Sequence, residues 1–323
     1  MSDQKIVFLG TGGTIAGTAA NMFEHSDYTA AQVGVHALLA RLPGWNDGRG
    51  AERYVVEQVA QLDSKDMGFD VWVKLALRVA HHLAQDDVQG LVITHGTDTL
   101  EETAYFLQAL LAPAKPVVMT CAMRPANALV PDGPQNLLDA LAVASNTGAS
   151  GVTVVCAGAI YGAVDVQKVH PYRLNAFSAG DAGPIGFVEQ GRLRLLRDWP
   201  RGNGVPLVSG LAGAAWPRVE IVMSYAGADG AVVRALLKAG VQGLVVAATG
   251  NGTVHQDLEA ALVLAMQQGV KVVRATRCTE GRLLPSVNDA LPAAAGLTPV
   301  KARIALMLAL MQAASMSAAE TGR

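Results

Sequence analysis

The residues of this chain that could do chemistry collect where short apolar runs stop. Ile6-Val7-Phe8-Leu9 breaks into Gly10-Thr11-Gly12-Gly13-Thr14, which sets two hydroxyls, Thr11 and Thr14, among glycines. Glycine lets the backbone turn sharply and lets a ligand approach it closely. Arg53 to Leu62 ends in Asp63-Ser64-Lys65-Asp66, and Gln89 to Ile93 ends in Thr94-His95-Gly96-Thr97-Asp98-Thr99. Such hydroxyls serve as ligand contacts or as nucleophiles, and a hydroxyl nucleophile is inert near neutral pH until a base takes its proton. His95 lies beside one cluster, but it equally reads as a structural imidazole bonded to backbone. The other possible base is an amine. Lys168, in the weakly charged loop AIYGAVDVQKVH, could pair with Asp98 and relay a proton from Thr97, as Ser-Lys variants of the triad do. Taken alone, Lys168 reads more simply as a solvated surface lysine.

Those positions need elements to hold them. The apolar runs read as buried strands, and between them Phe69 to Ala84 carries Val71, Leu75 and Val79 at helical spacing. Thr29 reads as the cap of a helix through about Arg41, after a polar stretch, Asn21 to Tyr28, that suits a flap. A helix follows Thr99, and Asp98 with Glu101, or Thr99 with Glu102, fits a capping box. Pro116 to Cys121 and Gly151 to Ala157 read as further strands, Pro134 to Thr147 as a helix, and Glu189-Gln190-Gly191 as a hairpin turn. Strands alternating with helices predict an α/β fold whose parallel sheet is covered on both faces. In such sheets ligands bind beyond the carboxyl ends of the strands, where all three hydroxyl clusters fall.

The expected organisation is two domains. A larger N-terminal three-layer domain with a parallel sheet covers residues 1–197 and carries the site. A linker rich in Gly and Pro covers 198–216, and a smaller C-terminal α/β domain covers 217–323. In the second domain, strands are expected at 219–223, 243–248 and 270–275, and helices near 231–239, 257–268 and 299–313.

Composition excludes several classes. Hydrophobic residues make up 51% of the 323 and charged residues 16%, so a large core is available and disorder is not expected. The net charge is −2 with no basic run, which argues against a nucleic-acid partner. Cys121, Cys156 and Cys278 are too far apart for a metal-ligand or disulfide framework. At least two of them fall in strand-like runs and read as small buried hydrophobes. The pair His81-His82 sits on the predicted helix and is expected to be exposed, and no HExxH pattern suggests a catalytic metal. The glycine turn fits neither G-x-G-x-x-G nor the P-loop. No secretory signal is visible at MSDQKIVFLG, and Ile304 to Met311 is too short to span a bilayer, so a cytoplasmic, membrane-free protein is expected.

TGGTIAG at Thr11 to Gly17 and ITHGTDTLEETAYFL at Ile93 to Leu107 resemble the signatures of bacterial L-asparaginases and glutaminase-asparaginases. SDYT at Ser26, DSKDM at Asp63, KPVVMTCAMRPA at Lys115, DGPQNLLDA at Asp132, DVQK at Asp165 and GNGT at Gly250 add to the match. The resemblance covers nearly the whole chain and looks closer to the type II group.

It implies hydrolysis of L-asparagine to aspartate and ammonia through an acyl-enzyme, with no metal or organic cofactor. By resemblance, Thr14 is the primary nucleophile, oriented and activated by Tyr28. Thr97, Asp98 and Lys168 resemble a second triad. Ser64 and Asp98 resemble the groups that hold the substrate's α-carboxylate and α-amine. The Ala122 carbonyl resembles a contact to the side-chain amide, and N–H groups near Gly13 and Thr97 resemble an oxyanion hole. The family forms homotetramers in which the second domain completes a neighbour's site, a role that Thr253 matches.

Two positions depart from the pattern. Lys65 stands where Gln or Glu is common, so it would either pair with the substrate carboxylate or narrow the pocket against glutamine. Gly281 to Asp289 is short, leaving Asp289 as a candidate for the donated carboxylate. Competing readings are an amidase acting on glutamine or another small amide, and a non-catalytic amino-acid-binding protein.

Overall fold

The computed structural model describes residues 4–42, 45, 53–205, 210–294 and 296–320. The chain divides into two compact units, Met1–Gly204 and Val205–Arg323. The boundary falls within the Gly- and Pro-rich stretch expected at 198–216, of which Pro206 lies outside the described residues.

Unit one begins with β1 (Lys5–Gly12), β2 (Thr18–Ala19), β3 (Tyr28–Thr29), α1 (Val35–Leu39), β4 (Tyr54–Leu62) and α2 (Phe69–Leu83). It continues with β5 (Val88–Thr94), α3 (Leu100–Leu111), β6 (Val117–Thr120), α4 (Gly133–Ala144), β7 (Val152–Cys156) and β8 (Ala159–Gly162). Short strands β9 (Gln167–Lys168) and β10 (Phe177–Ser178) precede β11 (Gly186–Glu189) and β12 (Arg192–Leu195). The main sheet has the order β12-β11-β8-β7-β6-β5-β1-β4.

The strands from β4 to β7 are parallel, as expected, and β8, β11 and β12 add antiparallel pairings that make the sheet mixed. The β8 stretch read as loop from sequence. It is instead the return arm of a tight hairpin whose turn, Ala157-Gly158, has φ of 50° and 76°.

Why β1 is central follows from its composition. Ile6, Val7, Phe8 and Leu9 are all fully buried, because a strand paired in parallel on both edges and covered on both faces has no wet side. Burying one such side chain contributes about 1.5–3 kcal/mol. Ile6 and Phe8 pack with Leu38 of α1 and Leu137 and Val143 of α4. The alternate residues face the layer of α2 and α3, where Trp72 stacks on Phe106 with ring centroids 4.8 Å apart.

Three local expectations are corrected. The helix predicted from Thr29 starts at Val35, because Thr29 pairs with Thr18 in the β2–β3 hairpin and the Val35 N–H is capped by Gln58 Oε1 at 2.8 Å. The capping box before α3 does not form. The Asp98 N–H goes to Ser64 Oγ (3.2 Å), the Thr99 hydroxyl to the Ser64 carbonyl (2.7 Å), and Glu101 Oε1 accepts from the Lys168 N–H (3.2 Å). His82 is buried rather than exposed, 3.2 Å from Glu57 Oε2.

Unit two is a parallel sheet β13-β14-β15 (Val219–Met223, Gly243–Ala248, Lys271–Thr276). Helices α5 (Ala231–Lys238) and α6 (Gln256–Gln267) join one apolar cluster with it, and α7 (Pro299–Glu320) packs on all three strands. No helix among the described residues is long and apolar enough to cross a membrane.

Candidate active site

Three strand-end loops meet through glycines. Gly12 and Gly13, at φ of 105° and 82°, carry the chain off β1 into a one-turn helix, Thr14–Ala16. A Cβ on Gly13 would stand 2.2 Å from the Gly96 Cα, and one on Gly96 would stand 2.5 Å from Ser64 Oγ. The loops after β1, β5 and β4 therefore touch only because two side chains are missing. This convergence brings Thr14, Ser64, Thr97 and Asp98 to one end of the sheet.

Thr14 is 5% exposed and its hydroxyl lies 2.6 Å from the Tyr28 phenol oxygen. The β2–β3 hairpin sets Tyr28 there by pairing it with Ala19. Burial pushes the Tyr28 phenol above its ordinary range, the bond to Thr14 offsetting part of that shift. Tyr28 is therefore a phenol near neutral pH. It can orient the Thr14 hydroxyl or pass a proton along, but it is no standing base. Thr11 is turned away, donating its hydroxyl to the Thr94 carbonyl at 2.9 Å.

A second hydroxyl has its own partner. Lys168 Nζ donates to Thr97 Oγ1 at 2.8 Å and to Asp98 Oδ1 at 2.6 Å. Its side chain is 18% exposed, so the solvated-lysine reading is overturned. The β9–β10 pairing, Lys168 with Phe177, and the N–H bond to Glu101 hold it in place. His95 is fully buried with Nδ1 on the Gly96 carbonyl oxygen at 2.7 Å, and burial pulls its pKa down to about 4. It is the structural imidazole of the two readings.

Ser64 is 2% exposed and faces the Asp98 backbone. Lys65 turns outward, its ammonium held 3.0 Å from Asp63 Oδ2 and 3.1 Å from Asp66 Oδ2. Ala122, fully buried, follows β6. Its loop is fixed by Asp132, whose carboxylate accepts the Met123 and Arg124 N–H groups at 2.9 and 3.0 Å. Asn136 ties the same region down by donating to the Cys121 carbonyl at 2.9 Å and accepting from the Ala157 N–H at 3.0 Å. Glu101 and Asn136 were missed as supports. Both sit on helices whose apolar periodicity explains them without a site.

Of the N–H groups near Gly13 expected as oxyanion donors, that of Gly13 itself is spent on the Leu62 carbonyl at 2.9 Å. The neighbouring Thr14 N–H opens a helical turn and so has no helical partner.

In unit two, Thr253 closes the GNGT turn, its hydroxyl 2.8 Å from that of Thr249. Asn251 holds the Gly281–Asp289 stretch by exchanging hydrogen bonds with Leu284. Asp289 accepts from Arg274 and from the Ser286 N–H, so its carboxylate is engaged within its own unit. Among the described residues no group of three or more His, Cys, Asp or Glu could hold a metal ion.

Known proteins are similar to this chain along nearly its whole length. The family model "Asparaginase, N-terminal" matches residues 5–201, and "Glutaminase/Asparaginase C-terminal domain" matches 218–321. L-asparaginase 2 of Escherichia coli (strain K12) is 37% identical over 95% of this chain and 89% of its own. The glutaminase-asparaginase of Pseudomonas fluorescens biotype A is 35% identical over 95% of this chain and 86% of its own. A crystal structure of the probable cytoplasmic L-asparaginase from Campylobacter jejuni superposes with a TM-score of 0.88 at 35% identity, covering 95% of each chain. With both units matched in order and the strand-end loops in place, the chain belongs to the asparaginase family.

Proposed function

We propose that the protein hydrolyses L-asparagine to L-aspartate and ammonia through a threonine acyl-enzyme. The observation that carries the reading is the 2.6 Å contact between the buried Thr14 hydroxyl and the Tyr28 phenol. Thr14 Oγ1 attacks the side-chain amide carbonyl, and Tyr28 orients the hydroxyl and passes its proton on. The developing oxyanion is met by N–H groups at Thr14 and Thr97. The carbon–nitrogen bond breaks, the nitrogen takes a proton and leaves as ammonia, and the acyl group stays on Thr14. Water, activated at the Thr97–Lys168–Asp98 group, then cleaves the ester and frees aspartate.

Ser64 and Asp98 hold the substrate's α-carboxylate and α-amine, and the Ala122 carbonyl contacts the amide. No cofactor takes part. The working assembly is a homotetramer in which unit two of a neighbouring subunit presents Thr253 to the site, and its compartment is the cytoplasm. Support for the compartment is the name of the Campylobacter relative, while the Haemophilus influenzae relative is called periplasmic.

Ammonia release from asparagine by wild type, Thr14→Ala and Lys168→Met tests the reading. Turnover in wild type with loss in both variants supports it. Absence of turnover in wild type favours a protein that binds amino acids without catalysis.

A further inference from the structure

We infer that the substrate range extends to β-aspartyl amides whose leaving amine carries a carboxylate. This deepens the reading just given, because it takes the Ala122 carbonyl as the group that meets the amide being cut.

The observation is a cavity of about 330 Å³, open to solvent, with His25, Met123, Arg124, Tyr172 and Arg173 among its walls. Its size is that of a small-molecule site. Three loops that carry the proposed machinery build it. His25 precedes Tyr28 on the flap, Met123 and Arg124 follow Ala122, and Tyr172 and Arg173 lie on the loop after Lys168. The loops are tied together. The Leu129 N–H donates to the Met22 carbonyl at 2.9 Å, and the Ala19 N–H to Asn127 Oδ1 at 2.8 Å. Cys156 Sγ reaches the Leu174 carbonyl at 3.7 Å.

Its place in the sheet decides what it meets. β4, β1, β5 and β6 lie side by side and deliver Ser64, Thr14, Thr97 and Ala122 in that order. The cavity begins at the residue after Ala122 and continues toward β7. A substituent on the amide nitrogen held at Ala122 extends into it.

Its charge decides what that substituent carries. The named walls hold two guanidiniums and an imidazole, and the lining includes no carboxylate. Among the described residues neither Arg124 nor Arg173 forms an ion pair. Two carboxylates on these loops are already engaged. Asp132 accepts the Met123 and Arg124 N–H groups, and Glu24 accepts the Ser26 hydroxyl at 2.9 Å. Arg124 Nη1 donates to the Val130 carbonyl at 2.9 Å, which fixes the side chain without neutralising it. Cations left unpaired at a cavity mouth favour an anion, and carboxylate is the anion that an amino-acid leaving group brings.

The chemistry balances as it does for asparagine. Thr14 Oγ1 takes the acyl group, the carbon–nitrogen bond breaks, and the nitrogen takes a proton and leaves as the free amino acid. Water then releases aspartate.

The test compares β-aspartyl-glycine, whose leaving amine carries a carboxylate, with β-aspartyl-glycinamide, whose leaving amine does not, in wild type, Arg173→Gln and Arg124→Gln, with asparagine turnover as the control. Expected is a kcat/KM ratio of about tenfold for the acidic conjugate, equivalent to about 1.4 kcal/mol, that falls toward one in each variant while asparagine turnover holds. Arg173 is exposed, so its substitution leaves folding intact. If asparagine is hydrolysed but neither conjugate is, or the wild-type ratio is near one, or both variants keep the ratio, the proposal is overturned. Failure on asparagine itself would instead remove the reading on which the proposal rests.

Discussion

Gly13 and Gly96 meet backbone to backbone, so close that a single methyl on Gly13 would lie 2.2 Å from the Gly96 Cα. This contact sets the nucleophile's loop against the loop that carries Thr97 and Asp98. Gly13→Ala also forces an L side chain into φ 82°. The expected outcome is a loss of about 2 kcal/mol or more in stability together with loss of amidase activity. Denaturant unfolding and ammonia release measure the two. Normal activity in Gly13→Ala would show that the close approach is dispensable.

Lys168 bridges Thr97 and Asp98 from a largely buried position, at 2.8 and 2.6 Å. Lys168→Met is expected to lower kcat by ~10²- to 10⁴-fold, the range for a proton-transfer group. Lys168→Arg restores the charge but cannot give up a proton, so it should recover KM more than kcat. Equal recovery of both parameters in the arginine variant would reduce Lys168 to a counter-charge.

The Tyr28 phenol is shifted upward, chiefly by burial. Activity should therefore show no loss from phenolate formation up to the ordinary tyrosine value of about 10. Tyr28→Phe should keep the fold and lower kcat by about 10²-fold. The pH–rate profiles of both proteins check this, and an alkaline limb well below that value that disappears in Tyr28→Phe would contradict it.

His95 is buried neutral, its pKa pulled from 6.5 to about 4. A base whose folded pKa is depressed binds its proton more readily in the unfolded chain. Stability should therefore fall as pH drops through the window from 6.5 to about 4, by about 3 kcal/mol in total for this residue. His95→Gln should flatten that part of the curve. An unchanged pH slope would place the titration elsewhere. The same shift predicts no histidine limb from His95 in the activity profile near neutrality.

How much of this was readable in the sequence depended on how local the cause was. The three strand ends at Thr14, Ser64 and Thr97 were legible because buried parallel strands leave long apolar runs and then stop at polar residues. Lys168 was legible only as a candidate amine, and its burial was not, since its position depends on a two-residue strand pair and on Glu101 from α3, and no periodicity marks either. The capping box failed for a related reason. Asp98 with Glu101 and Thr99 with Glu102 have the right spacing, but tertiary partners, Ser64 and Lys168, take the bonds of Asp98, Thr99 and Glu101. The antiparallel edge from β8 was hidden because Ala159 to Gly162 is short and rich in small residues. His82 reads as polar on a helix, and its burial rests on a tertiary contact with Glu57 on a neighbouring strand.

Lys65, expected either to meet the substrate carboxylate or to narrow the pocket against glutamine, holds its ammonium between Asp63 and Asp66. Glutamine is expected to be the poorer substrate. Comparing kcat/KM for asparagine and glutamine in wild type and Lys65→Gln decides it. Comparable values for both amides in wild type would sink the idea.

Two threonines carry activators, so the most direct measurement asks which one is acylated. Enzyme quenched during asparagine turnover is digested and its peptides weighed. The account predicts one aspartyl increment on the peptide containing Thr14, absent in Thr14→Ala. An increment on the peptide containing Thr97, or undiminished turnover in Thr14→Ala, would contradict it.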